Sequence, residues 1–244
     1  MAKHKVFISH YHADDTAVNE FVNKFANEEK IFTAKIVGDD YDTTINSDDP
    51  EYIMRKIRED YLTDSTVIND INRNYEKIDC LINCAGMWIS GDISKLDQPI
   101  YDEMNELGRI KKVIDTNVFG TVAMTKSIFS IMKKQGYGQI ININSQSGVM
   151  CEPPFPIYNS SKTGANAFRK AIQNDLAHNN IKITDVCPGL IQTDFYKRAK
   201  NELPENVMNT GLTPKDVANT VKFVFDLPHE ITIPSIEVRN IKNY

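Results

Sequence analysis

The chain has 244 residues, 41% of them hydrophobic and 25% charged, with a formal net charge of −5. It is long enough to bury a substantial core in one large α/β unit or two small ones, and its charge gives no electrostatic case for nucleic acid or an anionic membrane. No apolar run approaches the ~20 residues of a bilayer span. The amino end MAKHKVFIS has no apolar signal core, and Cys80, Cys84, Cys151 and Cys187 form no CxxC pair, so a reduced, cytoplasmic protein is expected.

Apolar runs of strand length alternate with longer helical patterns along the chain, which points to βαβ units and a parallel sheet. Val6 to Ser9 reads as the first strand. Residues 15–30 place Val18, Phe21, Val22 and Phe25 on one helical face. Residues 31–37 suggest a second strand, followed by the polar loop GDDYDTTINSDDP. Residues 50–61 read as a helix with Pro50 near its first position and Glu51 favourable to its dipole. INDINRNYEK (68–77) predicts a helix and IDCLIN (78–83) a buried strand. A helix is expected over 103–134, with TNVFG in its interior. Further on come strand QIININS (139–145), a helix over 161–180, strand IKITDVCPG (181–189), a helix over 214–226 and a last β segment in 230–241. Strands such as IDCLIN and QIINI, apolar without interruption, suit a sheet covered on both faces. The fold class that follows is a doubly wound, mostly parallel α/β sheet.

Tyr158 and Lys162 stand four residues apart, which on a helix puts both side chains on one face. A nearby ammonium favours tyrosinate and draws the phenol towards the range of a general acid or base. By itself the spacing also describes a surface tyrosine beside a solvated lysine. Its surroundings add weight. Asn83, Ala85 and Gly86 end one presumed strand, Ser145 ends the next, and Pro188 and Gly189 end a third, with Ile191 and Thr193 just beyond. Open α/β sheets bind ligands at the carboxyl ends of their strands, although each motif taken singly is compatible with ordinary turn or cap chemistry.

Residues from about 70 to 244 resemble the short-chain dehydrogenase/reductase family. The resemblance rests on NCAG at 83–86, TNVFG with Asn117, INSQSG with Ser145, YNSSK at 158–162 and PGLIQT at 188–193. The C-terminal TGLTPKDVANTVKFVFDLPHEITIPSIEVRN resembles members that reduce small carbonyl compounds. The resemblance implies a Rossmann-like fold, NAD or NADP as cofactor, and a small carbonyl or alcohol substrate. It implies that Tyr158 is the acid or base and that Lys162 holds the nicotinamide ribose and lowers the tyrosine pKa. Ser145 would hydrogen-bond the substrate oxygen, and Asn117 would support a water-linked proton path to Lys162. Asn83, Ala85 and Gly86 would lie near the adenosine ribose, and Pro188, Gly189, Ile191 and Thr193 at the nicotinamide end. Members often form dimers or tetramers through the helices near 103–134 and 158–178.

The front of the chain departs from that pattern. A glycine-rich turn lets the backbone approach a pyrophosphate at a helix N-terminus, but the only glycine in residues 1–70 is Gly38. The first strand instead runs into His10, Tyr11, His12, Ala13, Asp14 and Asp15, whose carboxylates would repel a pyrophosphate. KVFISHYHADD, GDDYD and IMRKIREDYLTDSTV, over about residues 3–67, resemble the start of TIR-like proteins with a flavodoxin-like sheet and roles in nucleotide-linked signalling or defence. The chain then reads as a TIR-like half-fold over 1–68 and a reductase-like half over 69–244, with one merged sheet expected. Three functions stay open: a reductase with weakened dinucleotide binding, a chimera without catalysis, and a TIR-like signalling module. No metal site is assigned, since His10 and His12 read more simply as solvated loop residues.

Overall fold

The computed structural model describes residues 4–9, 32–36, 77–88, 106–151, 155–199 and 203–242. The helices expected over 15–30 and 50–61, the helix expected over 68–77 except Lys77, and the residues His10 to Asp15 lie outside them. In chain order the elements are β1 (His4–Ser9), β2 (Phe32–Ile36), β3 (Cys80–Asn83), α1 (Glu106–Ile114), a π-helical turn (Asp115–Gly120) and α2 (Thr121–Gln135). They continue with β4 (Gly138–Ile143), α3 (Ser147–Met150), α4 (Pro156–His178), β5 (Ile181–Pro188), α5 (Phe195–Arg198), α6 (Glu205–Met208), α7 (Pro214–Phe225) and β6 (Ser235–Val238).

The six strands form one sheet in the order β2-β1-β3-β4-β5-β6, and every pairing is parallel. From β1 the chain runs outward to β2, then returns to β3 on the other side of β1. The order reverses between β1 and β3, and a doubly wound sheet opens a ligand crevice at such a reversal.

Successive side chains of a strand point to opposite faces, and here both faces are covered. Leu81, Ile140, Ile181 and Ile183 pack with Met124, Ile128, Ile131 and Met132 of α2 and Leu176 of α4. Cys80, Ile82, Ile141 and Val186 pack on the other face with Val217, Val221 and Val224 of α7. Each fully buried aliphatic side chain contributes roughly 1.5–3 kcal/mol of transfer free energy.

One level of the sheet breaks this apolar pattern. Ser9, Asn83, Asn142, Asp185 and Ser235 are successive register partners across five strands. Asn83 donates to Asn142 Oδ1 at 2.9 Å and to Thr125 Oγ1 at 3.2 Å. Asn142 donates to Asp185 Oδ1 at 2.9 Å, and Asn144 to Asp185 Oδ2 at 3.1 Å. Arg169 of α4 faces the same carboxylate, with Nε 3.3 Å from Oδ2. Asp185 is fully buried and Arg169 is 3% exposed, so the carboxylate is matched by a charge and by two amide donors, as burial requires.

Several boundaries differ from those the sequence suggests. The strands are shorter: β3 begins at Cys80 rather than residue 78, β4 ends at Ile143, and β6 covers only Ser235–Val238. The helix expected from 161 begins at Pro156, with proline in its first turn, where a missing N–H is harmless. The long helix through TNVFG is interrupted by the π turn at 115–120.

Candidate active site

Ser145 follows the end of β4, with its neighbours held in the sheet's extension: Asn144 N–H donates to Val186 O at 2.8 Å and Gln146 N–H to Pro188 O at 3.0 Å. Tyr158 sits in the first turn of α4 and Lys162 one turn further, both on the buried stripe that includes Ser161, Ala165, Asn166 and Arg169. The Ser145 and Tyr158 side chains line the same cleft. Lys162 Nζ donates to Ile143 O at 3.1 Å and lies 5.9 Å from the Tyr158 ring centroid.

Asn117 occupies the π turn, an irregularity often found at functional sites. Its side chain clamps the backbone of Met87, accepting from the Met87 N–H at 2.7 Å and donating to the Met87 carbonyl at 2.8 Å. The same amide donates to Ser161 Oγ at 2.9 Å, and Ser161 Oγ donates to Tyr158 O at 2.7 Å. Asn117 therefore ties the loop after β3 to the helix that carries Tyr158 and Lys162. A Cβ at Gly86 would lie 3.6 Å from Lys162 Nζ and 3.7 Å from Asn117 Oδ1, so its bare backbone faces the gap beside the ammonium.

A cleft with about 1100 Å³ of empty space, part of it open to solvent, brings together Gly86, Ser145, Tyr158 and Lys162 with Pro188, Gly189, Ile191 and Thr193. Ala85 is half-buried next to it. Asn83 lies beneath the cleft, 5% exposed, with its amide nitrogen engaged across the sheet. Its Oδ1 is buried without a hydrogen-bond partner among the described residues. Cys84, Phe195 and Tyr196 also line the cleft, although no sequence motif singled out the two aromatic residues. Their only signal is position, directly after PGLIQTD.

Burial is the main electrostatic influence. It pushes the Tyr158 hydroxyl well above its ordinary value, with the Tyr196 hydroxyl adding to the rise and the Ser145 hydroxyl opposing it. The lowering expected from Lys162 is not found among the influences on Tyr158, where desolvation, which disfavours the phenolate, dominates. Burial also lowers Lys162 from 10.5 to about 8, partly countered by Cys84, Asp185 and Cys187. The pair is thus a neutral phenol beside a weakened ammonium, an arrangement suited to giving a proton to a ligand oxygen.

The nicotinamide end of a dinucleotide fits these residues. Among the described residues the Lys162 ammonium donates to one acceptor, Ile143 O, and an ammonium has three N–H donors to share with ribose hydroxyls. The open backbone at Gly86 leaves room for a ribose between the end of β3 and α4.

The short chain dehydrogenase family matches residues 53–204, and the TIR-like domain of the Thoeris protein ThsB matches residues 7–68. A 3-oxoacyl-[acyl-carrier-protein] reductase of Synechocystis is 32% identical over 152 residues, spanning 62% of this chain and 58% of the relative. A farnesol dehydrogenase of Aedes aegypti is 30% identical over 179 residues, spanning 68% and 67%. Among solved structures, ElxO with NADP bound superposes with a TM-score of 0.68 at 22% identity, covering 97% of this chain and 98% of that one. A front that resembles a TIR-like domain thus precedes the Ser145, Tyr158 and Lys162 region, and by the extent of the match the chain belongs to the short chain dehydrogenase family.

Proposed function

We propose that the chain is an oxidoreductase that moves a hydride between NAD or NADP and a small carbonyl or alcohol substrate. The observation that carries this reading is the meeting of Ser145, Tyr158 and Lys162 in one cleft at the carboxyl ends of β3, β4 and β5. When bound, the dinucleotide supplies or accepts the hydride. In the reducing direction Ser145 Oγ hydrogen-bonds the carbonyl oxygen as negative charge gathers there. Tyr158 Oη gives its proton to the same oxygen, so the carbonyl becomes an alcohol. Lys162 holds the nicotinamide ribose, and its positive charge favours the phenolate left behind. Asn117 keeps the loop after β3 against α4 and supports a water-linked path that returns a proton to Lys162. Ala85, with Asn83 beneath it, forms the adenosine-ribose side, Gly86 faces the nicotinamide ribose beside Lys162 Nζ, and Pro188, Gly189, Ile191 and Thr193 form the nicotinamide side. The ElxO structure holds NADP, which supports a dinucleotide in this fold.

The HYHADD stretch at 10–15 stands where a glycine-rich turn would hold the pyrophosphate, so affinity for the dinucleotide is weakened in this reading. Following NADPH and NADH oxidation with simple aldehydes and ketones tests both statements. Expected are turnover that Tyr158→Phe lowers by at least 100-fold and a dinucleotide KM above the ~1 mM end of the ordinary range. Absence of turnover at saturating dinucleotide would instead support a catalytically silent chimera.

The match to a TIR-like domain over residues 7–68 favours a second reading, a nucleotide-signalling or defence module. Cleavage of NAD by the purified chain that persists in Tyr158→Phe would support it. We also propose that residues 1–68 and 69–244 are two half-folds sharing the single sheet. A dimer or tetramer joined through α1, α2 and α4 is part of the reductase reading.

A further inference from the structure

The cleft has an aromatic wall that the family motifs do not contain. Five rings follow one another from the surface loops to the reacting tyrosine. Phe155 packs on Trp88 at a centroid distance of 5.2 Å, and Trp88 meets Tyr196 edge to face at 5.1 Å. Tyr196 meets Phe195 edge to face at 5.7 Å, and Phe195 meets Tyr158 at 6.3 Å. Trp88 is 6% exposed, and the residue before it, Met87, is clamped by Asn117. Phe195 and Tyr196 turn into the cleft, where Ile143 and Ile191 supply further apolar lining. Among the described residues the Tyr196 hydroxyl has no hydrogen-bond partner, and burial is the sole influence on its proton affinity.

We infer that the substrate is an aryl ketone or aryl aldehyde, its ring seated against Phe195 and Tyr196, with a second hydrogen-bonding group on the ring that reaches the Tyr196 hydroxyl. This inference rests on the hydride-transfer reading of the same cleft. Two physical points select an aromatic ring over an aliphatic chain of equal size. Edge-to-face ring pairs gain stability beyond the area they bury, and the rings are already fixed by one another, so little side-chain entropy is lost when a ligand arrives. The hydroxyl of half-buried Tyr196 adds a requirement, because an apolar ligand would cover it without replacing its contact with water. Trp88 and Phe155 hold Tyr196 in place rather than touching the ligand, and they act as positioning residues.

Trp88 is the sole tryptophan of the chain, so its emission reports on this wall without any cofactor or turnover. The test is a fluorescence titration of the full chain with acetophenone, 3-hydroxyacetophenone and cyclohexyl methyl ketone, repeated by calorimetry. Expected is a saturable change with the two aryl ketones, at a Kd at least tenfold below that of the cyclohexyl compound. In Tyr196→Phe the preference for the hydroxylated over the plain aryl ketone falls about tenfold, and Tyr196→His, which keeps a ring donor, restores part of it. Circular dichroism confirms that each variant is folded, and where one is not, the wild-type ligand series still decides. Equal binding of aryl and cyclohexyl ketones, or no saturable change up to 10 mM, overturns the inference. Aryl binding without NAD(P)H oxidation upholds the ring subsite while removing the hydride-transfer reading, so the two failures are distinct.

Discussion

Lys162 is placed where a charge is costly. It is 6% exposed, and burial lowers it from 10.5 to about 8. Its folded-state value therefore lies below its unfolded one, and between pH 8 and 10.5 the unfolded chain binds more protons. Stability is then penalised by the buried ammonium below about pH 8 and recovers as pH rises through that window. Activity moves in the opposite direction, since an uncharged amine cannot steady a phenolate. The rate of carbonyl reduction at saturating substrate is expected to fall above about pH 8, with an apparent pKa that Lys162→Arg moves upward or abolishes. A rate flat to pH 10 would separate Lys162 from the proton chemistry. Tyr158, raised by burial, stays protonated through this range. The oxidising direction needs its phenolate, which the uncharged amine no longer favours, so it is not expected to accelerate in this window.

At the scale of elements, α3 and α4 touch through a glycine. A Cβ on Gly148 would lie 2.8 Å from Lys162 O and 2.9 Å from Asn144 Oδ1, and the first of these is backbone with little room to yield. Gly148→Ala is expected to destabilise the protein by roughly 1–3 kcal/mol, the usual range for overpacking. Because α3 follows Ser145 directly, its displacement should lower kcat as well, which thermal melts and turnover read separately. The strand and helix order could be read from the chain because apolar runs and periodic faces are local signals. Tyr158 and Lys162 were legible by their spacing, whereas the start of α4 at Pro156 was missed, the helix being expected only from 161. The π turn was not legible. Its widening coincides with contacts of Asn117 to Met87 and Ser161, residues 30 and 44 positions away, and no local pattern encodes such distant partners. The wall of Trp88, Phe155 and Tyr196 was hidden for the same reason, as three separate segments contribute one ring each.

Across the whole molecule, β1 lies between β2 and β3, so the front of the chain shares sheet hydrogen bonds with the strand Cys80–Asn83. The half-fold proposal then predicts a single cooperative transition in urea, with Trp88 emission and far-ultraviolet circular dichroism changing together. Transitions that separate would mean that the front opens by itself. The polar level through Ser9, Asn83, Asn142, Asp185 and Ser235 sets the terms on which such a front can be exchanged. A donor strand of any ancestry can join β3 if it brings a small polar residue into phase with Asn83. One shifted by a single position would set an aliphatic residue at that height and reverse which of its side chains meet each layer of helices. Under the half-fold proposal, compatibility between the two parts is a matter of phase, and a front exchanged up to residue 68 should tolerate wide divergence so long as that phase is kept.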